Sequence, residues 1–367
     1  MKILFALYHD FTANSALHVC QLASELTALG QECTVAVPNG KETAAAVPRR
    51  DFAVLEFSEA LNGHWDVVHA WTPREVVRVF CGKLRQRSPF LQFVHLEDNE
   101  TYLLASIVRS SDEPVPDGLS HPHRSREFLQ QADGITVVID RLAEFAPPEI
   151  PVLEISPSCD KRLFTGQPRN EELRGQLRIA PETVVLAYTG NVHAANAAEV
   201  RSLYLASALL NREGTPTVLI RSGKDYAPVA EEVLRHSAVE LGRVDYREIP
   251  GILAAADFLV QPGRPGNFND YRLPSKLPEF FSAGRPVILP GTNLGLRARH
   301  GEEAWVLPRA DAVSIVEAIQ FLRSKPELCR RLSTGGRKFF EQRLDWAASA
   351  RKVLEFYAAG QRSANKS

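Results

Sequence analysis

Charged side chains gather in one glycine- and proline-rich loop and in the short helix predicted after it, between Pro262 and Pro290. The charged residues of interest there are Arg264, Asp270, Arg272, Lys276 and Glu279. The helix is predicted from about Ser275 to Ala283, so Lys276 and Glu279 occupy its first turns. A carboxylate there can accept hydrogen bonds from the two vicinal hydroxyls of a ribose, and nearby lysine and arginine can hold phosphate charge. A structural loop rarely collects so many basic groups beside one buried helix, so the segment predicts a binding site.

A second set of polar residues ends the strand predicted at Phe90 to Leu96, in the sequence FVHLEDNE. The residues in this set that could do chemistry are His95, Glu97, Asp98, Asn99 and Glu100. His95 could donate a hydrogen bond to a sugar hydroxyl or to a developing charge, and a carboxylate could orient an acceptor hydroxyl. The alternative is a solvated helix start that Asp98 caps. We favour a site, because a connecting loop does not require this density of polar groups.

The loop after the first predicted strand, HDFTANSA, brings Asn14 and Ser15 to the start of a helix. Backbone N–H groups and the helix dipole could receive an anion there. The loop lacks the G-x-G-x-x-G pattern of dinucleotide-binding folds. Simple capping of the helix by Asn14 or Ser15 is therefore an equally good interpretation.

Two strand ends in the second half of the chain offer further polar groups. After Gly190, Asn191 lies at a strand-to-helix turn where a diphosphate could sit on the helix N-terminus, although Asn196 could simply cap that helix. The strand that ends at Gly223 contributes Arg221, which would bring positive charge to a place of close backbone approach. An ordinary solvated charge is the alternative for Arg221.

Short apolar strands alternate with helices along both halves of the chain. The predicted strands are Ile3–Tyr8, Cys33–Pro38, Val67–Trp71, Phe90–Leu96, Gly134–Ile139, Val184–Gly190, Thr217–Gly223, Ala256–Pro262 and Pro286–Pro290. This alternation is typical of a mostly parallel sheet covered on both faces, so each half is predicted to be a doubly wound α/β domain. Ligands bind beyond the carboxyl ends of such strands, where the loops described above lie.

Length and composition are those of a globular protein with two domains. The chain has 367 residues, of which 44% are hydrophobic and 24% charged. Because 43 Lys and Arg nearly balance 44 Asp and Glu, nucleic acid is not an expected partner. The five cysteines include no C-x-x-C pair, which favours reduced thiols in the cytoplasm. The apolar run at the start of the sequence ends at His9 and is too short for the apolar core of a signal peptide.

A predicted helix within PREVVRVFCGKLRQR combines five basic residues with apolar ones. It could make weak peripheral contact with anionic lipid at the inner face of a membrane. We favour the alternative of a helix that packs its apolar face on the sheet and leaves its charges in water. No apolar stretch approaches the roughly 20 residues that cross a bilayer.

Taken in order, these segments resemble the nucleotide-sugar glycosyltransferases of the GT-B fold, in particular glycosyltransferase family 4. The matching segments are the strand-helix opening, HLED, ADGITVVIDRLAEF, SPSCDKRLF, LAYTGN, LIRSG, VELGRV and KLPEFFSAGRPVI. The resemblance covers nearly the whole chain and implies two doubly wound, Rossmann-like α/β domains facing a central cleft. It implies an acceptor domain over residues 1–165, a nucleotide-sugar donor domain over 170–345, and a last helix over 346–360 that crosses back to the first domain.

The residue patterns and the resemblance together predict roles for single residues. Donor binding is predicted for Gly190, Asn191, Arg221, Gly223, Arg264, Asp270, Tyr271, Leu277 and Glu279. A catalytic role is predicted for His95, Arg272 and Lys276, and an acceptor-side role for Asn14, Ser15, Glu97 and Asp98. Glu279 corresponds to the second of the family's paired glutamates, which contacts the donor ribose, whereas the first position holds Tyr271, with Asp270 adjacent.

The sequence departs from the family pattern at the basic residues that usually hold the diphosphate. Their positions fall on Asn191 and near Ala195 or Asn196. Another set of cations must then replace them if the enzyme is active. The candidates are Lys276, Arg272, Arg264 and Arg221.

The predicted function is a metal-independent, retaining glycosyltransferase without a cofactor. It would move a sugar from a nucleoside diphosphate donor to a hydroxyl of a glycan, a lipid-linked saccharide or a small acceptor; retention is implied by the resemblance. One alternative is a GT-B isomerase similar to nucleotide-sugar 2-epimerases, for which Glu97, Asp98 and Glu100 would supply carboxylates. The other is a binding or scaffold protein that kept the fold and lost the diphosphate clamp.

Overall fold

The computed structural model describes residues 1–47, 49–108, 114–164 and 166–364. The chain divides into two compact units. Unit 1 comprises Met1–Ser158, Tyr271–Leu273 and the chain from Asp345 onward, and unit 2 comprises Cys159–Asp270 and Pro274–Leu344. Tyr271 was expected in the donor domain, but it belongs to unit 1, where its hydroxyl donates to Glu144 Oε2 at 2.9 Å.

Each unit is built on one parallel sheet. The strands are β1 (Lys2–Ala6), β2 (Glu32–Val37), β3 (Ala53–Glu56), β4 (Val67–Trp71), β5 (Leu91–Leu96), β6 (Gly134–Val137), β7 (Val152–Glu154), β8 (Val184–Thr189), β9 (Thr217–Ser222), β10 (Ala238–Gly242), β11 (Phe258–Val260), β12 (Val287–Pro290) and β13 (Trp305–Leu307). The seven-stranded sheet of unit 1 has the order β3-β2-β1-β4-β5-β6-β7, and the six-stranded sheet of unit 2 has the order β10-β9-β8-β11-β12-β13. The doubly wound α/β prediction is confirmed.

Thirteen α-helices connect and cover these strands within the described residues. They are α1 (Asn14–Ala28), α2 (Phe57–Ala60), α3 (Glu75–Arg85), α4 (Glu100–Ile107), α5 (Arg124–Gln130), α6 (Glu171–Gln176), α7 (Ala197–Arg212), α8 (Glu232–Arg235), α9 (Ile249–Ala255), α10 (Leu277–Ser282), α11 (Ala312–Arg323), α12 (Pro326–Arg343) and α13 (Trp346–Ala364). None of these helices combines the length and the apolar character that a membrane span would need.

The strand orders locate the places where a ligand can enter. In unit 1 the direction of winding reverses between β1 and β4, and in unit 2 it reverses between β8 and β11. Loops from these neighbouring strands diverge at such a reversal and leave a crevice at the carboxyl edge of the sheet. The residues that follow β1, β4, β8 and β11 are therefore the first candidates for a site.

The last helix completes the core of unit 1. Asp345 caps α13, because its Oδ1 accepts from the backbone N–H of Ala347 at 2.8 Å. Trp346 and Tyr357 on this helix are buried in the same core as α1. The predicted end at residue 360 was wrong, since α13 continues to Ala364. Gly360 gives close packing there, because a Cβ at this position would lie 3.1 Å from Phe93 Cζ.

The helix considered for membrane contact is α3. Its side chains Val77, Phe80 and Leu84 are buried, as expected for a helix that covers a sheet. Arg78 Nη2 pairs with Glu75 Oε1 at 2.6 Å, so part of its basic charge is balanced within the helix. Peripheral membrane contact stays a prediction.

Candidate functional site

A carboxylate that is mostly shielded from solvent, Glu97, organises the carboxyl edge of the unit 1 sheet. Glu97 Oε1 accepts from Trp71 Nε1 at 2.7 Å and lies 3.2 Å from His18 Nδ1. Its other oxygen accepts from the Ser15 hydroxyl. Although burial alone raises the pKa of Glu97, the hydrogen bonds from His18 and Ser15 contribute to lowering it to about 2. The group is an ionised acceptor whose donors come from α1 and β4.

Arg74 holds the neighbouring carboxylates. Its Nε lies 3.2 Å from both oxygens of Glu100, and its Nη2 lies 3.8 Å from Asp98 Oδ2. The guanidinium also lies over the ring of Tyr8, 3.9 Å from its centroid. Burial raises the pKa of Asp98 to about 6 against the opposing charges of Arg74 and Arg272. Asp98 therefore changes its charge near neutral pH, whereas Glu97 does not.

His95 ends β5 within the same cluster. Its ring is 1% exposed and stacks on Trp71 with 3.9 Å between centroids, and its Nδ1 lies 2.8 Å from Thr136 Oγ1. Burial is the main cause that lowers the pKa of His95 to about 3, so the ring is neutral. Among the described residues, its Nε2 has no hydrogen-bond partner. Its contact with substrate stays a prediction.

Two expectations about helix caps were wrong. Neither Asn14 nor Ser15 caps α1, because both lie inside the helix and the N-cap position is Ala13, which has no capping side chain. Asp98 does not cap α4; Asn99 does, and its side chain accepts from Tyr102 N. Ser15 is committed to Glu97 and Asp98 faces Arg74, so these side chains build the cluster instead.

In unit 2, Lys276 lies against the backbone at the end of β8. A Cβ added to Gly190 would lie 2.7 Å from Lys276 Cε and 3.2 Å from its Nζ. The ammonium lies 4.6 Å from the centroid of the Tyr188 ring. Within the described residues no carboxylate oxygen lies within 4.0 Å of Lys276 Nζ. A cation is thus placed at the carboxyl end of the strand beside the winding reversal.

The loops after β8 and β9 approach each other closely through glycine. Gly190 has φ +142° and Gly223 has φ +119°, and a Cβ at Gly223 would lie 2.3 Å from the Gly190 carbonyl oxygen. Asn191 Oδ1 accepts from the backbone N–H of Lys224 at 2.9 Å, which ties the two loops together. Asn196 also serves this turn, since its Oδ1 accepts from His193 N at 2.8 Å and not from the first turn of α7.

Glu279 lies in the first turn of α10 with 7% of its surface exposed. Burial raises its pKa to about 7, against the opposing effects of a hydrogen bond with Tyr246 and the charge of Lys276. Leu277, two residues earlier, is fully buried and fixes the helix in the core. Glu279 therefore presents a carboxyl group that is half ionised near neutral pH, on the helix that also positions Lys276.

The glycine- and proline-rich loop before α10 contributes fewer side chains to the unit 2 cluster than the sequence predicted. Asp270 Oδ2 accepts from Gly266 N at 3.1 Å, so it closes the loop. The side chain of Arg264 is exposed, while its carbonyl accepts from Asn269 Nδ2 at 2.9 Å. Arg272 belongs to unit 1, where its charge acts on Asp98. The loop thus does not gather its basic groups within unit 2.

Arg221 is 4% exposed and already paired. Its Nη2 lies 2.6 Å from Asp225 Oδ1, and its Nε lies 3.8 Å from Glu240 Oε1. The solvated alternative is wrong for this residue, and its charge is balanced inside unit 2. A donor-binding role for Arg221 stays a prediction. A donor phosphate would have to compete with Asp225 and Glu240 for its guanidinium.

The structure thus brings together two groups of predicted residues. Ser15, His95, Glu97 and Asp98 meet in unit 1; Gly190, Asn191, Gly223, Lys276 and Glu279 meet in unit 2. Sequence reasoning missed four members, His18, Trp71, Tyr188 and Tyr246, and did not place Arg74 in a site. The position of Trp71 and Tyr188 at strand ends is a signal that could have identified them.

Comparison with known proteins agrees with this architecture. Residues 183–325 match the family model described as Glycosyl transferases group 1. Sucrose-phosphate synthase from Thermosynechococcus elongatus is 16% identical, with 99% of this chain and 100% of that chain covered and a TM-score of 0.76. Anabaena HepE in complex with UDP and glucose is 13% identical, with coverages of 98% and 99% and a TM-score of 0.74.

A third similar structure is WaaG, a glycosyltransferase involved in lipopolysaccharide biosynthesis, at 14% identity, coverages of 97% and 99%, and a TM-score of 0.66. No curated protein matches the chain significantly in sequence. The resemblance drawn from the sequence is confirmed: the chain has the GT-B glycosyltransferase fold, and residues 183–325 in its second unit match the Glycosyl transferases group 1 family.

Proposed function

We propose that this chain transfers a sugar from a nucleoside diphosphate donor to a hydroxyl group of a glycan, a lipid-linked saccharide or a small acceptor. The reaction is proposed to retain the anomeric configuration and to need no metal, as the resemblance to glycosyltransferase family 4 implies. Unit 2 would bind the donor, and unit 1 would bind the acceptor. The UDP and glucose bound to Anabaena HepE, a protein of similar fold, support a nucleotide-sugar donor.

The observation that carries this proposal is the position of Lys276 at Gly190. A leaving diphosphate bears at least two negative charges, and a preorganised cation is the strongest single means of stabilising such charge. Lys276 supplies this cation from the N-cap position of α10, although the residues after β8 supply none. The α7 N-terminus, which begins seven residues after Gly190, would add its dipole.

Glu279 would bind the donor ribose from the same helix. An ionised carboxylate accepts hydrogen bonds from two vicinal hydroxyls, and those bonds are stronger than bonds between neutral groups. Tyr246 already bonds to Glu279, so the carboxyl group is held in place before the nucleotide arrives. The predicted pairing of Lys276 and Glu279 on one short helix supports nucleotide binding in unit 2.

The isomerase alternative draws on the carboxylates of unit 1. Glu97 is held by Ser15, His18 and Trp71, and Glu100 accepts from Arg74 and from Ser120 at 2.9 Å. Acids held so firmly are poor proton carriers, because each proton transfer would break several hydrogen bonds. Only Asp98, with its raised pKa, keeps this alternative open.

A panel of nucleoside diphosphate sugars, with and without sugar acceptors, tests the proposal. We expect nucleoside diphosphate release that depends on the acceptor, unchanged activity in EDTA, and a product with the donor's anomeric configuration by proton NMR. Conversion of a donor sugar without an acceptor would favour the isomerase. Nucleotide binding without turnover would favour the scaffold protein, and an inverted product would refute retention.

A further inference from the structure

A chain of buried hydrogen bonds runs from α13 to His95. The Tyr357 hydroxyl lies 2.6 Å from His69 Nδ1, and His69 Nε2 lies 2.8 Å from Thr136 Oγ1. The same Thr136 oxygen lies 2.8 Å from His95 Nδ1. Tyr357, His69 and Thr136 are all fully buried, so no solvent completes their hydrogen bonds. Burial lowers the pKa of His69 well below its usual value, so both histidines are neutral.

Counting the protons shows that donation along this series of hydrogen bonds runs from Tyr357 toward His95. The Tyr357 O–H has one partner among the described residues, His69 Nδ1, and burial raises its pKa, so it keeps its proton and donates it. His69 must then carry its proton on Nε2 and donate to Thr136. The Thr136 hydroxyl donates onward to His95 Nδ1, which leaves the His95 proton on Nε2. The reverse direction would leave the Tyr357 proton buried without an acceptor, which is costly.

Glu97 places the His18 proton on Nδ1, whereas the His95 proton lies on Nε2. An ionised carboxylate can only accept, so the His18 nitrogen that faces Glu97, Nδ1, must carry a proton. In the neutral form of His18, Nε2 then carries no proton and is an acceptor. This Nε2 is buried and, within the described part of the chain, has no partner. His18 and His95 thus offer one acceptor and one donor.

The two rings belong to one cluster. Both interact electrostatically with Glu97, and they also interact with each other. Thr72 adjoins His95, since its backbone N–H donates to the His95 carbonyl oxygen at 3.1 Å. It is fully buried with φ +78°, and its hydroxyl also has no partner among the described residues. A β-branched residue seldom adopts this conformation, and such strain is concentrated at functional sites.

We propose that His18 Nε2 and His95 Nε2 together bind one hydroxyl group of the acceptor, with His95 donating to its oxygen and His18 accepting its proton. A hydroxyl is both donor and acceptor, so it matches this pair, whereas a carboxylate or an ammonium group matches only one member. Tyr357, His69 and Thr136 are positioning residues for His95, and Glu97 is the positioning residue for His18. The inference rests on the proposed function in its assignment of the acceptor to unit 1.

Nitrogen-15 NMR of the histidine-labelled full chain tests the two tautomers without any substrate. We expect His95 protonated on Nε2 and His18 protonated on Nδ1 near neutral pH. The isosteric variant Tyr357→Phe removes the first donor of the chain and should convert His95 to a mixture of tautomers. An Nδ1-protonated His95, or a His18 that carries a proton on Nε2 near neutral pH, whether or not Nδ1 is also protonated, would overturn the proposal.

Kinetics of a matched pair of variants tests the ligand. His18→Asn can keep a donor toward Glu97 and lacks the distal nitrogen, so the acceptor KM should rise roughly tenfold, the effect of one hydrogen bond. The control His64→Asn changes an exposed histidine of unit 1 and should leave the acceptor KM unchanged. An unchanged acceptor KM in His18→Asn, or an effect on the donor KM alone, would contradict the assignment.

The two measurements separate this inference from the proposed function. If the chain binds nucleotide sugars and transfers none, the proposed function fails, and the tautomers can still be read from the unliganded protein. The hydroxyl site is then tested by the shift of the His18 and His95 nitrogen resonances on addition of glucose, with His64 as the internal control. Shifts of the first two alone support the site, and their absence at saturating glucose refutes it.

Discussion

The edge clusters of unit 1 and unit 2 occupy the same place in their sheets and differ in how their charges are balanced. In unit 1 the acidic group Glu97 receives three donors, and Arg74 pairs with the two carboxylates beside it. In unit 2, Lys276 has no carboxylate within ion-pair distance in the described part of the chain, and Glu279 is protonated for part of the time at neutral pH.

This difference indicates what each cluster can bind. A cluster whose carboxylates are already held by donors and by Arg74 has hydrogen-bonding atoms to offer and no unpaired cation to attract an anion, so unit 1 suits a neutral, hydroxyl-bearing ligand. A cation that pairs with no carboxylate among the described residues, beside a close backbone approach, suits an anion, as expected for a diphosphate. The two sheets are similar, and the pairing of charged side chains at their edges therefore determines which ligand each edge suits.

The largest expected effect comes from removing the cation of unit 2. Lys276→Ala should lower the rate of transfer by about 10² to 10³, the scale for losing one preorganised group that stabilises developing charge. The rate would be measured by nucleoside diphosphate release, with the fold checked by circular dichroism. Lys338→Ala, which removes an exposed lysine of the same unit, is the control and should keep full activity. A Lys276→Ala enzyme with full activity would contradict the conclusion that the unit 2 cluster binds the diphosphate through this cation.

Glu279→Gln should separate binding from stability. The folded-state pKa of about 7 lies above the usual 4.5, so the folded form holds its proton more tightly, and stability is lost as pH rises from 4.5 through 7. The variant cannot ionise and should be more stable than wild type at about pH 8, by roughly 1 to 3 kcal/mol, with little difference at about pH 5. Urea denaturation at both pH values checks this.

The same variant should bind nucleotide more weakly, by about 1 to 3 kcal/mol at pH 8, because a charge-assisted bond to the ribose is lost. Calorimetric titration with a nucleoside diphosphate measures the change. Glu182→Gln, at an exposed position of unit 2, is the matched control for both experiments. Unchanged affinity would remove Glu279 from the donor site even if the stability change is observed.

The smallest expected effect is that of Glu97→Gln in unit 1. The amide keeps one acceptor oxygen but directs an N–H group at donors, so the free energy of unfolding at pH 7 should fall by about 1 to 2 kcal/mol. Because the pKa of Glu97 is lowered to about 2, its contribution is present above pH 4.5 and lost as pH falls toward 2. The difference between variant and wild type should therefore shrink in acid, and a constant difference would show that charge is not its cause. Glu42→Gln at an exposed position serves as the control.

The fold could be predicted further than the site. Interior strands such as β5 and β8 are continuous apolar runs, because both of their faces are covered, and all of them were found. The strands that were missed, β3, β7, β10 and β13, are the four at the sheet edges. They are short and partly exposed, so their apolar pattern is weak.

The site was harder to predict because its residues bond to partners that are distant in sequence. A dense polar segment marked Glu97 correctly, but nothing local shows that His18 and Trp71 would donate to it from other elements. Arg221 and Lys276 look alike as basic residues near glycine. Only the fold shows that Arg221 faces Asp225 while Lys276 faces the Gly190 backbone.

The place of α13 in unit 1 has a consequence for the order in which the chain can fold during synthesis. The last strand of the unit 1 sheet ends at Glu154, yet Trp346 and Tyr357, which complete its core, follow about 190 residues later. At roughly 5 to 20 residues per second, a ribosome needs about 10 to 40 seconds to make that interval. Throughout this time the face of α1 that α13 will cover stays open, and the hydrogen-bond chain to His95 lacks its first member. Unit 2 can thus finish folding before unit 1, although it is made later.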